Sequence, residues 1–126
     1  MIVVDTNVIA YLWIPGEQTS YAERALHKDS HWIAPFLWRS EFRNVLAGYM
    51  RSGDLSLDTA LNLMEEAENL FKGREYLTPS DQVLELANKT NCSAYDCEFV
   101  ALAQDMRTHL LTSDREILKK FPTTAV

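Results

Sequence analysis

Cysteine, glycine and proline are all scarce in this chain: its 126 residues include two cysteines, four glycines and four prolines. Cys92 and Cys97 have no second pair to complete a zinc site or a disulfide framework, so both read as reduced thiols. The shortage of glycine and proline excludes collagen-like and low-complexity chains. No apolar run approaches the roughly 20 residues that cross a bilayer, and Asp5 interrupts the N-terminus where a secretory leader needs its hydrophobic stretch. The expectation is a cytoplasmic protein with no membrane association. Positive charge is also in deficit, because 12 Lys and Arg face 18 Asp and Glu for a formal charge of −6. A protein that held nucleic acid chiefly by neutralising phosphates would be basic. Any dealings with nucleic acid must then rest on something other than net charge.

What is present is the composition of a folded globule. Apolar residues make up 47 % and charged residues 24 %. That is too hydrophobic for disorder and, at this length, enough for one core, so a single domain over residues 1–126 is expected. Ile2 to Val4 is a β-branched run ending at Asp5, which suits a buried strand of a parallel sheet. Tyr21, Ala22, Ala25 and Leu26 recur at helical spacing, and His31 to Ala34, stopped by Pro35, reads as a second strand. From Phe36 to Met50 the residues Trp38, Phe42, Val45, Leu46 and Tyr49 form the apolar stripe of a helix ending near Gly53. Ser56 can cap a helix that closes at Gly73, and Glu75 to Leu77 is a short strand. Thr78-Pro79-Ser80-Asp81 reads as a capping box variant with proline at the first helical position, opening a helix to about Thr90. A further helix covers Ala94 to Met106, and His109 to Thr112 forms a strand. Ser113 or Asp114 caps a last helix holding Ile117 and Leu118, and Thr123 to Val126 supplies a short edge strand. This alternation predicts an α/β fold, a three-layer α/β/α arrangement around a central parallel sheet of four or five strands.

Ligands of such sheets bind beyond the carboxyl ends of the strands, where Asp5 and Asp114 fall. Two further acids stand on helix faces that should be apolar. At about 100° per residue, Asp96 shares a side with Phe99, Val100 and Ala103, whereas Glu98 and Asp105 point to a solvated face. Glu41, between Leu37 and Val45, occupies the shoulder of its helix's apolar stripe. Three of the acids alone have a plain alternative, as a helix cap for Asp5 and Asp114 and as a boundary residue for Glu41, and Asp96 is the anomalous one. In combination, two strand ends and two helix faces bring four carboxylates toward one cleft. At about 6 Å and an effective dielectric near 20, each of the six pairs would repel by roughly 3 kcal/mol, a sum rivalling the stability of a small domain. Such a group persists only if some members are protonated or a divalent cation neutralises them, and oxygen ligands select Mg²⁺ or Mn²⁺ over zinc.

The segments Val3-Val4-Asp5-Thr6-Asn7-Val8-Ile9, Ser40-Glu41, Ala94-Tyr95-Asp96 and Leu111-Thr112-Ser113-Asp114 resemble, in this order, the successive motifs of PIN domains. They are most similar to those of the small VapC-like toxins of bacterial and archaeal toxin–antitoxin pairs, and the likeness runs from Ile2 to Phe121. The resemblance implies a metal-dependent endoribonuclease. Asp5, Glu41, Asp96 and Asp114 would be its catalytic acids and the ligands of one or two Mg²⁺ or Mn²⁺ ions, with Asn7 and Thr112 holding the acids by hydrogen bonds. It implies attack by water on RNA, leaving a 5′-phosphate and a 3′-hydroxyl. It also implies a homodimer and a cognate antitoxin whose C-terminal segment covers the site. Arg39, Arg43, Arg51, Arg107 and Arg115 are candidates to hold the RNA backbone, and each reads equally well as a solvated arginine.

Four other readings stand beside this one. A haloacid dehalogenase-type phosphatase needs a second aspartate two residues after the first, where this chain has Asn7. A phosphoryl-receiver domain needs an aspartate after its third strand, where the chain reads Tyr76-Leu77-Thr78. A PIN-type nuclease of RNA processing shares the fold, and a non-catalytic binding domain would have lost one or more of the four acids, all of which are present. His27, His31 and His109 are scattered without a serine or cysteine partner. Trp32 and Trp38 read as core, and Trp13 as core or as a contact for a partner.

Overall fold

The computed structural model describes residues 1–126. In chain order the elements are β1 (Ile2–Val4), α1 (Thr6–Trp13), α2 (Thr19–Lys28), β2 (Trp32–Pro35), α3 (Leu37–Arg51) and α4 (Leu57–Leu70). There follow β3 (Glu75–Tyr76), α5 (Ser80–Thr90), α6 (Ala94–Asp105), β4 (Leu110–Leu111) and α7 (Arg115–Lys120). The strands form one sheet in the order β3-β2-β1-β4, and every pairing is parallel. Parallel neighbours need crossovers, and the helices supply them.

The order of the strands decides where the site lies. From β1 the chain steps outward to β2 and then β3, and it then returns past both to place β4 on the free side of β1. Right-handed crossovers running in opposite directions lie on opposite faces. One layer accordingly holds α1 to α4, which pack on one another, and α5 and α6 pack together on the other, with α6 against β1, β2 and β4. The direction reverses between β1 and β4, and the crevice of a doubly wound sheet opens at the carboxyl ends flanking such a reversal.

The two central strands are the most deeply covered. All four residues of β2 are buried, as are Val3 and Val4 of β1. α3 buries Trp38, Phe42 and Leu46, one residue per turn, and Trp38 packs on Phe71 with ring centroids 4.8 Å apart and on Phe42 at 6.1 Å. α6 buries six of its twelve residues, including the continuous run Phe99 to Ala103, because it lies across the middle of the sheet. Trp32 and Trp38 are core residues as expected, and Trp13 is half-buried with its ring 6.5 Å from that of Phe42.

Several elements differ from the sequence-based expectation. Thr6–Trp13 is a helix where none was expected. α4 ends at Leu70, before Gly73, whose positive φ serves the turn into β3. Thr78 does not cap α5: Pro79 holds the N-cap position without a side-chain hydrogen bond, and the Thr78 hydroxyl donates to Glu98 Oε1 at 3.2 Å. Thr123 to Val126 supplies a single bridge, Ala125 to Leu110, and completes no fifth strand. Backbone bonds from Leu110 N to Thr124 O and from Val126 N to Leu110 O nonetheless cover the free edge of β4. No helix is long and apolar enough to cross a membrane.

Candidate active site

Asp5 ends β1 as its backbone turns into α1. It is only 7 % exposed and caps the helix, its Oδ1 accepting from Thr6 N at 2.8 Å and its carbonyl from Val8 N and Ile9 N. Its other oxygen, Oδ2, accepts from Thr112 Oγ1 at 2.6 Å. Asp114, just past β4, caps α7, and its Oδ1 accepts from Glu116 N at 2.8 Å and Ile117 N at 3.2 Å. Its backbone N–H donates to Thr112 Oγ1 at 3.0 Å, so a single threonine hydroxyl links the two strand-end acids.

Glu41 lies one residue before the buried Phe42 on α3, which turns it to the edge of the core, half-buried. Its Oε1 accepts from Thr6 Oγ1 at 2.7 Å. Asp96 occupies the first turn of α6, three residues after Ser93, whose hydroxyl accepts from Asp96 N at 3.1 Å. The Ser93 side chain is also a hydrogen-bond partner of the Asp96 carboxylate. The four acids line one cavity of about 220 Å³ together with Thr6, Asn7, Asn44 and Val45. A second cavity of about 310 Å³, between α1, the turn into α2 and α3, shares Asn7 and Val45 with it.

The protonation chemistry follows from this packing. Burial pushes the Asp5 carboxyl above its ordinary pKa, partly opposed by Thr112 and Thr6 and reinforced by Asp96 and Asp114. Burial likewise raises Glu41 against its bond from Thr6, with Asp5, Asp96 and Glu98 adding repulsion. Asp96 is raised by burial and then by Asp114. Three acids raised chiefly by burial and further by one another's charge describe a pocket short of positive charge. The donors are all oxygen, which suits a hard cation such as Mg²⁺. As the side chains stand, no three acids, histidines or cysteines are close enough to grip one ion. An ion would have to draw the carboxylates inward.

The sequence-based assignments divide. All four acids come together, and Thr112 bonds Asp5 as the resemblance implied. Asn7 lines the cavity but is exposed and bonds none of the acids. Thr6, next to it and 4 % exposed, makes the bonds instead. Arg39 is turned away: its guanidinium holds Glu75 through Nε at 2.6 Å and Nη2 at 2.7 Å, and Glu68 through Nη1 at 2.7 Å. Arg43 folds back to Arg39 O and Ser40, and none of the five candidate arginines lines the cavity. Glu98 does not stand on a solvated face; it is half-buried and close enough to Glu41 to repel it. Thr6 and Asn44 are the lining residues the sequence reading missed. Thr6 went unnoticed because the helix it opens was not expected, and Asn44 had only its place one turn beyond Glu41 to mark it.

The PIN domain family model matches residues 2–122. The chain is a PIN domain. Among curated proteins, Ribonuclease VapC3 of Pyrobaculum aerophilum is 36 % identical over 124 residues, covering 96 % of this chain and 95 % of that one. Among solved structures, PAE2754 from Pyrobaculum aerophilum superposes with a TM-score of 0.79 at 22 % identity, covering 99 % of this PIN domain and 88 % of the other chain. FitAcB from Neisseria gonorrhoeae gives 0.74 at 19 % identity over 99 % and 96 %. These two structures share the fold. The parallel sheet and the α/β/α layering of the PIN domain are as the sequence implied.

Proposed function

We propose that this PIN domain is a single-domain endoribonuclease dependent on Mg²⁺ or Mn²⁺, and that it is the toxin of a toxin–antitoxin pair. The observation that carries the reading is the convergence of Asp5, Glu41, Asp96 and Asp114 on one cavity at the carboxyl end of the sheet. The 36 % identical relative named Ribonuclease VapC3 supports RNA as the substrate. Asp5, Glu41, Asp96 and Asp114 are the residues that would hold one or two ions. A bound divalent cation there supplies a water of lowered pKa and offsets charge on the phosphodiester.

The chain's own residues do the rest. Thr6 and Thr112 fix the Asp5 carboxylate by both oxygens, so that it presents one face to the cavity. Asp96 is held by Ser93 at the start of its own helix and faces the cavity with the other three acids. The acids repel the RNA backbone until charge is added, which reconciles a formal charge of −6 with an RNA substrate. Further parts of the proposal are a homodimer, a cognate antitoxin that covers the cavity, and work in the cytoplasm.

The purified protein should cleave single-stranded RNA with Mg²⁺ or Mn²⁺, leaving 5′-phosphate and 3′-hydroxyl ends. Asp5→Asn and Asp96→Asn should each abolish cleavage while keeping a native circular dichroism spectrum. Undiminished cutting by either variant, or by wild type in excess chelator, refutes the proposal. The toxin role is tested separately: induced expression should arrest growth, and co-expression of an adjacent antitoxin gene should restore it.

A further inference from the structure

We infer that Thr6 is a positioning residue of the cation site, holding Glu41 in register with Asp5 through a hydroxyl that a hydrocarbon of the same shape cannot replace. The inference rests on the metal-dependent reading of the site. Thr6 is the first residue of α1, so it has no carbonyl one turn earlier for its hydroxyl to bond, as threonines inside helices do. The hydroxyl is thus free to reach across to α3, where it donates to Glu41 Oε1 at 2.7 Å. The same residue's N–H donates to Asp5 Oδ1 at 2.8 Å. One buried residue therefore touches two carboxylates that stand 36 positions apart in the chain. β-Branching restricts its χ1, so the hydroxyl direction is set by the backbone.

The consequence for the cavity is directional. The bond from Thr6 to Oε1 fixes the plane of the Glu41 carboxylate and leaves Oε2 with no hydrogen-bond partner, just as the bonds to Asp114 Oδ1 fix that carboxylate at the start of α7. Thr112 plays the matching part between Asp5 and Asp114. Asp5 is thereby tied to one acid on each side, and only Asp96 is outside the chain of bonds. Partners that orient ligating carboxylates typically change metal affinity by about 10- to 100-fold when removed.

The test measures Mn²⁺ binding to the intact protein by the loss of the free-ion electron paramagnetic resonance signal, alongside RNA cleavage. Thr6→Val keeps the shape and removes the hydroxyl; Thr6→Ser keeps the hydroxyl. Thr6→Val should bind Mn²⁺ about tenfold or more weakly, with cleavage recovering at high Mn²⁺, and Thr6→Ser should stay within about threefold of wild type. Wild-type affinity in Thr6→Val, or equal loss in Thr6→Ser and Thr6→Val, overturns the inference, as does a wild-type protein that binds no Mn²⁺. If Thr6→Val does not fold, Thr6→Ser still decides, because a tenfold loss there overturns the role of the hydroxyl. Wild-type protein that binds Mn²⁺ and cuts no RNA counts against the nuclease reading alone.

Discussion

Arg39 shows how a side chain can lose one role by having another. Its guanidinium is held by Glu75 and Glu68, so that β3, α3 and α4 meet at one guanidinium, and Glu75, whose side chain is 6 % exposed, also accepts from Trp38 Nε1 at 2.8 Å. The Arg39 charge beside it holds Glu75 below its ordinary pKa. Glu75→Gln should cost about 2 kcal/mol, read as a fall in the urea midpoint, and leave the RNA cleavage rate per folded molecule unchanged. A change in cleavage with no change in midpoint would contradict this division of labour. Nothing in the sequence near Arg39 announced the arrangement, because its two acidic partners are 36 and 29 residues away. The four cavity acids were legible for the opposite reason. Each sat where local pattern was violated, at a strand's end or on a helix face that should have been apolar.

Among the elements, α3 joins core to cavity. Phe42, fully buried against Trp38 and Trp13, follows Glu41 directly, so the packing of one side chain sets the direction of the other. Phe42→Ala should destabilise the protein by about 3 to 5 kcal/mol in thermal or denaturant unfolding. Phe42→Leu should be milder in stability and still lower cleavage, since the helix can shift by a fraction of a turn. Equal activity in wild type and Phe42→Leu would mean that Glu41 is positioned by Thr6 alone. α3 was plain in the sequence because its apolar residues alternate with charged ones. α1 was hidden because Val8 to Trp13 is apolar on every side and shows no 3.6-residue contrast. The start of α5 misled for another reason: Glu98, from a separate helix, competes for the Thr78 hydroxyl, and no local rule anticipates that.

For the whole molecule, the acids set a pH dependence with two opposed arms. Asp5, Glu41 and Asp96 have raised pKa values, so the folded state keeps protons that the unfolded chain has released. Their contribution is therefore lost as pH rises from the ordinary carboxylic range through the raised values. Glu75 is lowered, and its contribution is lost as pH falls through its depressed value. Without divalent cations, stability should peak in the mildly acidic range and decline toward neutrality. Mg²⁺ or Mn²⁺ at about 100 times its dissociation constant should restore about 2.7 kcal/mol near pH 7.5 and little near pH 4.5, where protons compete. Calorimetric melts across that range, with and without metal, check both arms, and a metal effect that is independent of pH would exclude the carboxylates as the binding groups.

The placement of β4 against β1 carries a consequence for biosynthesis. The hydroxyl of Thr112 must find a carboxylate 107 residues upstream, and β4 is the last strand of the sheet to leave the ribosome. Until β4 and the turn after it have emerged, a nascent chain therefore lacks both the Thr112 bond to Asp5 and the fourth acid of the cavity.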